Sequence, residues 1–174
     1  MDAGRPLRRI YDLGDLSNAG YETTVTASVV ELNSIAAWEG VDAVVRFEGQ
    51  VTLERLSATR FAYQALLSAD VLQSCVVTLE PIGTQISRRF SRELHYIPAR
   101  FDEKGGAVTL GYAEDDTPDE IDSLKFDLAA PLLEEFSLAV DPFPRAGGAE
   151  FRPPHDETVE ADNPFAVLKG LKRG

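Results

Sequence analysis

The chain has 174 residues, 44% of them apolar, with one cysteine and a formal net charge of −12. That length supports one domain with a real core, while no run reaches the ~20 apolar residues that span a bilayer and the N-terminus lacks the apolar stretch of a secretory signal. The lone cysteine excludes an internal disulfide or a multi-cysteine zinc site, and a reducing, cytoplasmic compartment with no membrane contact is the simplest expectation.

The charge is unevenly spread. Residues 55–100 hold 6 basic and 3 acidic side chains, residues 101–162 hold 4 and 17, and residues 163–174 hold three basic side chains and no acid. An acidic surface repels phosphate and attracts cationic partners. Acids that only keep a protein soluble would give the same count.

Residues 21–28, YETTVTAS, are β-branched and read as a strand. Ser28 and Glu31 then stand at capping-box spacing. Val29, Leu32, Ile35 and Ala36 follow at helical spacing, and Gly40 suits the left-handed residue after a helix, so a helix is predicted over 29–39. Residues 41–54 alternate, with Val41, Ala43, Val45, Phe47, Val51 and Leu53 on one face of a half-buried strand. Gly49 inside it predicts a bulge or sharp bend. Residues 55–60 make a turn.

Residues 61–79 alternate again, with a strand expected over 61–77, which puts Cys75 on the apolar face with Val77 and Leu79. A cysteine buried there acts as a small hydrophobe with a raised thiol pKa, and no neighbouring histidine activates it. After Pro81, residues 82–97 fit both a helix and a strand; the β-branched and aromatic content favours a long, curved strand. Arg88, Arg89 and Arg92, with Arg100 beyond, are the densest positive group of the chain. They read either as a phosphate-contacting patch or as cross-strand partners of Glu48 and Glu54.

A short strand is expected at 107–112, then an acidic loop holding Glu114, Asp115, Asp116, Asp119 and Glu120, whose spacing does not match a calcium loop. A last strand is expected at 120–126. Asp127 suits an N-cap, and Leu128, Leu132, Leu133, Phe136 and Ala139 form the stripe of a helix over 128–140, with Glu134 and Glu135 beside it. Residues 146–162 are rich in Gly, Pro and acids and read as an extended or disordered linker. In the tail, Asn163 and Pro164 open a short amphipathic helix with apolar Phe165, Val167, Leu168 and Leu171 and basic Lys169, Lys172 and Arg173. That tail suits recognition of a partner, docking on its own domain, or neither.

The expected fold is α+β: a curved antiparallel sheet, with barrel closure one option, two covering helices over residues 1–145, and a flexible tail. No catalytic constellation stands out. The two histidines, His95 and His155, have neither metal-pair spacing nor a serine partner, and neither glycine pair precedes a helix and lysine. No cofactor is expected, and an enzyme with an unrecognised pocket stays open as a third class.

Three stretches resemble the YceD family, the large ribosomal RNA subunit accumulation proteins. Cys75-Val76-Val77-Thr78-Leu79-Glu80-Pro81 is similar to the family's Cys-x-x-Cys-Leu-Glu-Pro, with Thr78 in place of the second cysteine. Ile121–Arg145 resembles its isoleucine-aspartate strand, Glu-rich helix and Asp-Pro-aromatic-Pro-Arg ending. Asn163-Pro164-Phe165-Ala166-Val167-Leu168 resembles its closing motif, in the form of the alphaproteobacterial branch. The resemblance implies a non-enzymatic role in large ribosomal subunit biogenesis, and makes Cys75 a landmark on a core strand. Thr78 removes any metal or disulfide built on a cysteine pair. Two modes compete. Glu114, Asp115, Asp116, Asp119, Glu120, Glu134 and Glu135 can attract a basic large-subunit ribosomal protein or a pre-ribosomal particle. Alternatively, Arg88, Arg89, Arg92, Arg100, Lys169, Lys172 and Arg173 can contact ribosomal RNA.

Overall fold

The computed structural model describes residues 4–98 and 118–150. Along the chain run β1 (Ile10–Asp12), a single 3-10 turn (Leu13–Asp15), β2 (Tyr21–Thr26), α1 (Val29–Glu39), β3 (Ala43–Arg55), β4 (Arg60–Ser74), β5 (Pro81–Tyr96), β6 (Asp119–Ile121), β7 (Lys125–Asp127) and α2 (Ala129–Ala139). The fold is α+β. A five-stranded sheet has the order β2-β3-β4-β5-β6, and β1 pairs with β7 in a separate two-stranded ribbon.

The large sheet is open rather than closed into a barrel. It is also not wholly antiparallel: β6 runs parallel to β5, Leu94 opposite Asp119 and Tyr96 opposite Ile121. The single strand expected at 120–126 is two three-residue strands in different sheets, with Asp122–Leu124 turning between them. Asp119 and Glu120 therefore belong to a strand and not to the acidic loop.

Local chemistry explains the elements. The Ser28 hydroxyl accepts from the Glu31 N–H, and Glu31 accepts from the Ser28 N–H at 2.8 Å, the reciprocal cap expected from the sequence. Gly40 closes α1 at φ 76°, where a side chain would be strained. Ile35 and Ala36 are buried, but Val29 and Val30 at the first turn are exposed. In α2, Pro131 lies in the first turn, where a missing N–H costs nothing. Leu128, Leu132, Leu133 and Phe136 are buried as the stripe requires.

The β3 alternation breaks in a place the sequence did not mark. Its register shifts between Val44 and Arg46, so Val44 is buried and Val45 is 60% exposed. Gly49 is in regular register opposite Leu67 and Val25. Its missing side chain serves packing: a Cβ there would stand 2.3 Å from Leu132 Cδ1. The glycine lets α2 sit down on the sheet.

One core joins these layers. Odd-numbered β4 residues Phe61, Tyr63, Leu67, Ala69 and Val71 meet Phe47, Val51, Ile35, Leu132 and Phe136, with Leu7, Leu13 and Leu16 from the N-terminal segment. Tyr63 is buried, and its hydroxyl donates to Leu128 O at 2.9 Å, which ties the centre of the sheet to the start of α2. Arg55 donates to Leu13 O, Gly14 O and Leu16 O and so holds the 3-10 turn.

Candidate functional site

The two candidate surfaces read from the sequence meet at Arg92. Its Nη1 donates to Glu134 Oε2 at 2.6 Å and lies 3.6 Å from Asp119 Oδ2, while Nη2 donates to Glu135 Oε1 at 3.5 Å. Arg5 adds a longer contact, 3.9 Å to Glu134 Oε1. Burial works against the Arg92 cation, but the hydrogen bond and charge of Glu134, with the charges of Asp119 and Glu135, outweigh it and raise its pKa. Strand β5, the edge strand β6 and helix α2 supply one residue or more each.

This corrects the pairing expected for the arginines. β5 neighbours β4 and β6, and β3 lies one strand further away, so Glu48 and Glu54 are not across from it. Glu48 instead lies 4.0 Å from Arg46 on its own strand. The register also splits the basic group. Arg88 is opposite Leu67 and Arg92 opposite Tyr63, both core-facing β4 positions, whereas Arg89 is opposite Leu66 on the outer face. Period-two geometry puts adjacent arginines on opposite sides of a sheet. Arg88 and Arg89 are exposed and carry no ion pair among the described residues. Arg100, Lys169, Lys172, Arg173, Glu114, Asp115 and Asp116 lie outside the described residues, as do the strand expected at 107–112, most of the linker, and Asn163, Pro164 and Phe165.

Beside the Arg92 cluster is a cleft of about 750 Å³ whose walls include Arg8, Asp119, Glu120, Asp122, Lys125 and Asp127. Some of its polar groups are already committed. Asp127 Oδ1 accepts from the Arg9 N–H at 2.7 Å and from the Ala129 N–H at 3.1 Å, so Asp127 caps α2 from one residue before the helix cap at Leu128. Asp127 Oδ2 is buried without a hydrogen bond among the described residues, 4.0 Å from Arg8 Nε. Ser123 Oγ accepts from the Lys125 N–H. Among the described residues the one hydroxyl of the cleft, Ser123, has no hydrogen bond to a base. Among the described residues no three His, Cys, Asp or Glu side chains converge on a metal position, and no helix is long and apolar enough to cross a membrane.

Cys75 is buried at the end of β4, and the alternation stops there. Val76–Thr78 turn, Leu79 takes a left-handed φ of 61° and is exposed, and Glu80 and Pro81 are exposed where β5 begins. The raised thiol pKa expected from burial is overturned. The Cys75 sulfur accepts from the N–H groups of Val77 and Thr78, each at 3.4 Å, and of Ala146 at 3.3 Å. Hydrogen bonding from Thr78 leads, then the Ala146 N–H, and together with the remaining donors they outweigh burial and bring the thiol to about 6. The third donor comes from the segment after α2. Gln73 Nε2 donates to Asp141 O at 2.8 Å and the Val76 N–H donates to Pro144 O at 2.9 Å. Two motifs joined by contacts 68 and 71 residues apart in sequence thus form one clasp.

The sequence reading missed Arg9. Its Nη1 and Nη2 grip both oxygens of Glu31 at 2.8 and 3.0 Å and link the N-terminal segment to the α1 cap. Only the tertiary fold brings the two together. No protein-family model, curated protein or solved structure matches this chain.

Proposed function

We propose that the chain is a non-enzymatic factor in large ribosomal subunit biogenesis that supports accumulation of large-subunit ribosomal RNA by binding a basic partner. The partner is a basic large-subunit ribosomal protein, free or in a pre-ribosomal particle, and the setting is cytoplasmic. The motif resemblance supplies the process, and the charge layout supplies the mode.

One observation carries the choice of mode: the best basic candidate is already neutralised. Arg92 is held by Glu134, Glu135 and Asp119, and its neighbours Arg88 and Arg89 face opposite sides of the sheet. A phosphate backbone needs cations on one surface. The anions fare differently. Asp119 stays half exposed although it meets Arg92, Glu120 and Asp122 beside it are exposed with no ion pair among the described residues, and the chain as a whole carries −12. Such a surface attracts a cationic protein and shields it from nonspecific RNA until ribosomal RNA competes for it.

The test is a titration of the purified chain against a basic large-subunit ribosomal protein and, separately, a large-subunit ribosomal RNA fragment. Binding to the protein should weaken as salt rises. The triple variant D119N/E120Q/D122N should weaken it by about tenfold. Absence of association at low salt refutes the proposal. RNA retention that disappears in R88E/R89E would support the RNA-binding alternative.

A further inference from the structure

We infer that residues 163–173 of this chain dock on an apolar rim at the Cys75 end of its own sheet. Four large apolar side chains stand exposed there: Val76 at 47%, Leu79 at 77%, Leu138 at 78% and Phe143 at 70%. They come from distant stretches that the backbone draws together. The Leu79 N–H donates to Cys75 O and the Val76 N–H to Pro144 O, next to Phe143. Asp141 O, three residues beyond Leu138, accepts from Gln73. A cluster of exposed apolar residues drawn from separate segments marks a docking surface.

Leu79 adds an independent sign. Among the described residues it is the one non-glycine with a left-handed backbone. Glycine or asparagine would occupy that position with less strain. A leucine there gives up local comfort to hold an apolar side chain out in water, which makes sense for an anchor and not for a plain turn.

The occupant follows from where the chain goes next. The described residues end at Glu150, four positions after Ala146, whose N–H binds the Cys75 sulfur. The intervening residues 151–164 can reach ~45 Å when extended, enough to return to the rim from any direction. The tail brings Phe165, Val167, Leu168 and Leu171 to cover apolar surface, and Lys169, Lys172 and Arg173 to meet the exposed carboxylates of Asp42, Glu80 and Asp141 around it, which outnumber the exposed cation Arg145. Asp42 belongs to this end because Ser74 Oγ donates to its carboxylate. Tethering makes the encounter intramolecular, so even weak complementarity suffices.

The test is amide hydrogen exchange on the full chain. Amides of 165–171 should exchange about tenfold or more slowly than in a free peptide of the same sequence. The variant L79G/F143S should return them to free-peptide rates. Since glycine suits the Leu79 backbone, that variant keeps its fold, and an unchanged melting temperature checks this. L56S, in the turn at the opposite end of the sheet, should leave the protection intact. Free-peptide rates in the unaltered chain would overturn the inference, as would protection that survives in L79G/F143S. Protection that appears only at high protein concentration would also overturn it and assign the rim to a second copy.

Discussion

At Gly49 the width of one methyl group decides whether α2 can pack. A β-carbon would meet Leu132 Cδ1 and Cδ2 at 2.3 and 2.7 Å, and Leu132 is fully buried. G49A should therefore cost about 1–3 kcal/mol. G49A/L132A should cost less than the sum of the two single changes, because the truncated leucine no longer blocks the new methyl; a double-mutant cycle by denaturant unfolding measures this. Glu31 makes a second prediction at this scale. Its carboxyl is lowered from 4.5 to about 2, first by the Arg9 hydrogen bond and then by the Ser28 N–H. A folded-state value below the unfolded one means that stability is fully present above pH 4.5 and is lost as pH falls towards 2. E31Q should flatten the acid limb of the stability curve in that window and cost about 1 kcal/mol at neutral pH through the weakened cap. Cys75 makes a third. C75A leaves the N–H groups of Val77, Thr78 and Ala146 without their acceptor, an expected loss of about 1–3 kcal/mol by chemical denaturation.

The Arg92 cluster belongs to the scale of elements, since it joins β5, β6 and α2. R92A should release α2 from the β5 edge and leave Glu134, Glu135 and Asp119 facing one another. The expected cost is about 1–2 kcal/mol at low salt, shrinking as salt rises, which thermal unfolding at two ionic strengths reads directly. The elements also separate what periodicity reveals from what it hides. The caps of α1, the α2 stripe and the alternation of β3 and β4 were legible because each obeys a local rule, whereas β5 fitted both periods and only its β-branched and aromatic content favoured a strand. The Val44–Arg46 bulge was not, because Val44 and Val45 are chemically equal and only the partner strand decides which one turns inward. β1, β6 and β7 have three residues each, too few for any period, and their pairing is fixed by tertiary contacts. Of the site, the individual charges were legible and their mutual neutralisation was not. Glu134 lies 42 residues beyond Arg92, and nothing local announces that contact. Cys75 was read correctly as buried, while its lowered pKa depends first on Thr78, in a turn that the alternation did not predict, and then on an N–H from Ala146, 71 residues away.

Across the whole molecule, electrostatics and topology point the same way. An open, mixed sheet buries one face under α1, α2 and the β1–β7 ribbon, spends its central arginine internally, and leaves anionic side chains along the β6 edge. We propose that this body binds a basic ribosome-building protein and not RNA. The most direct measurement is the identity of what co-purifies with the tagged chain at low salt, combined with its sedimentation among large-subunit precursors. A basic large-subunit protein should stay bound after nuclease treatment and be released by salt, in fractions that contain those precursors. Recovery of ribosomal RNA alone, lost on nuclease treatment, or of no ribosomal component at all would contradict it.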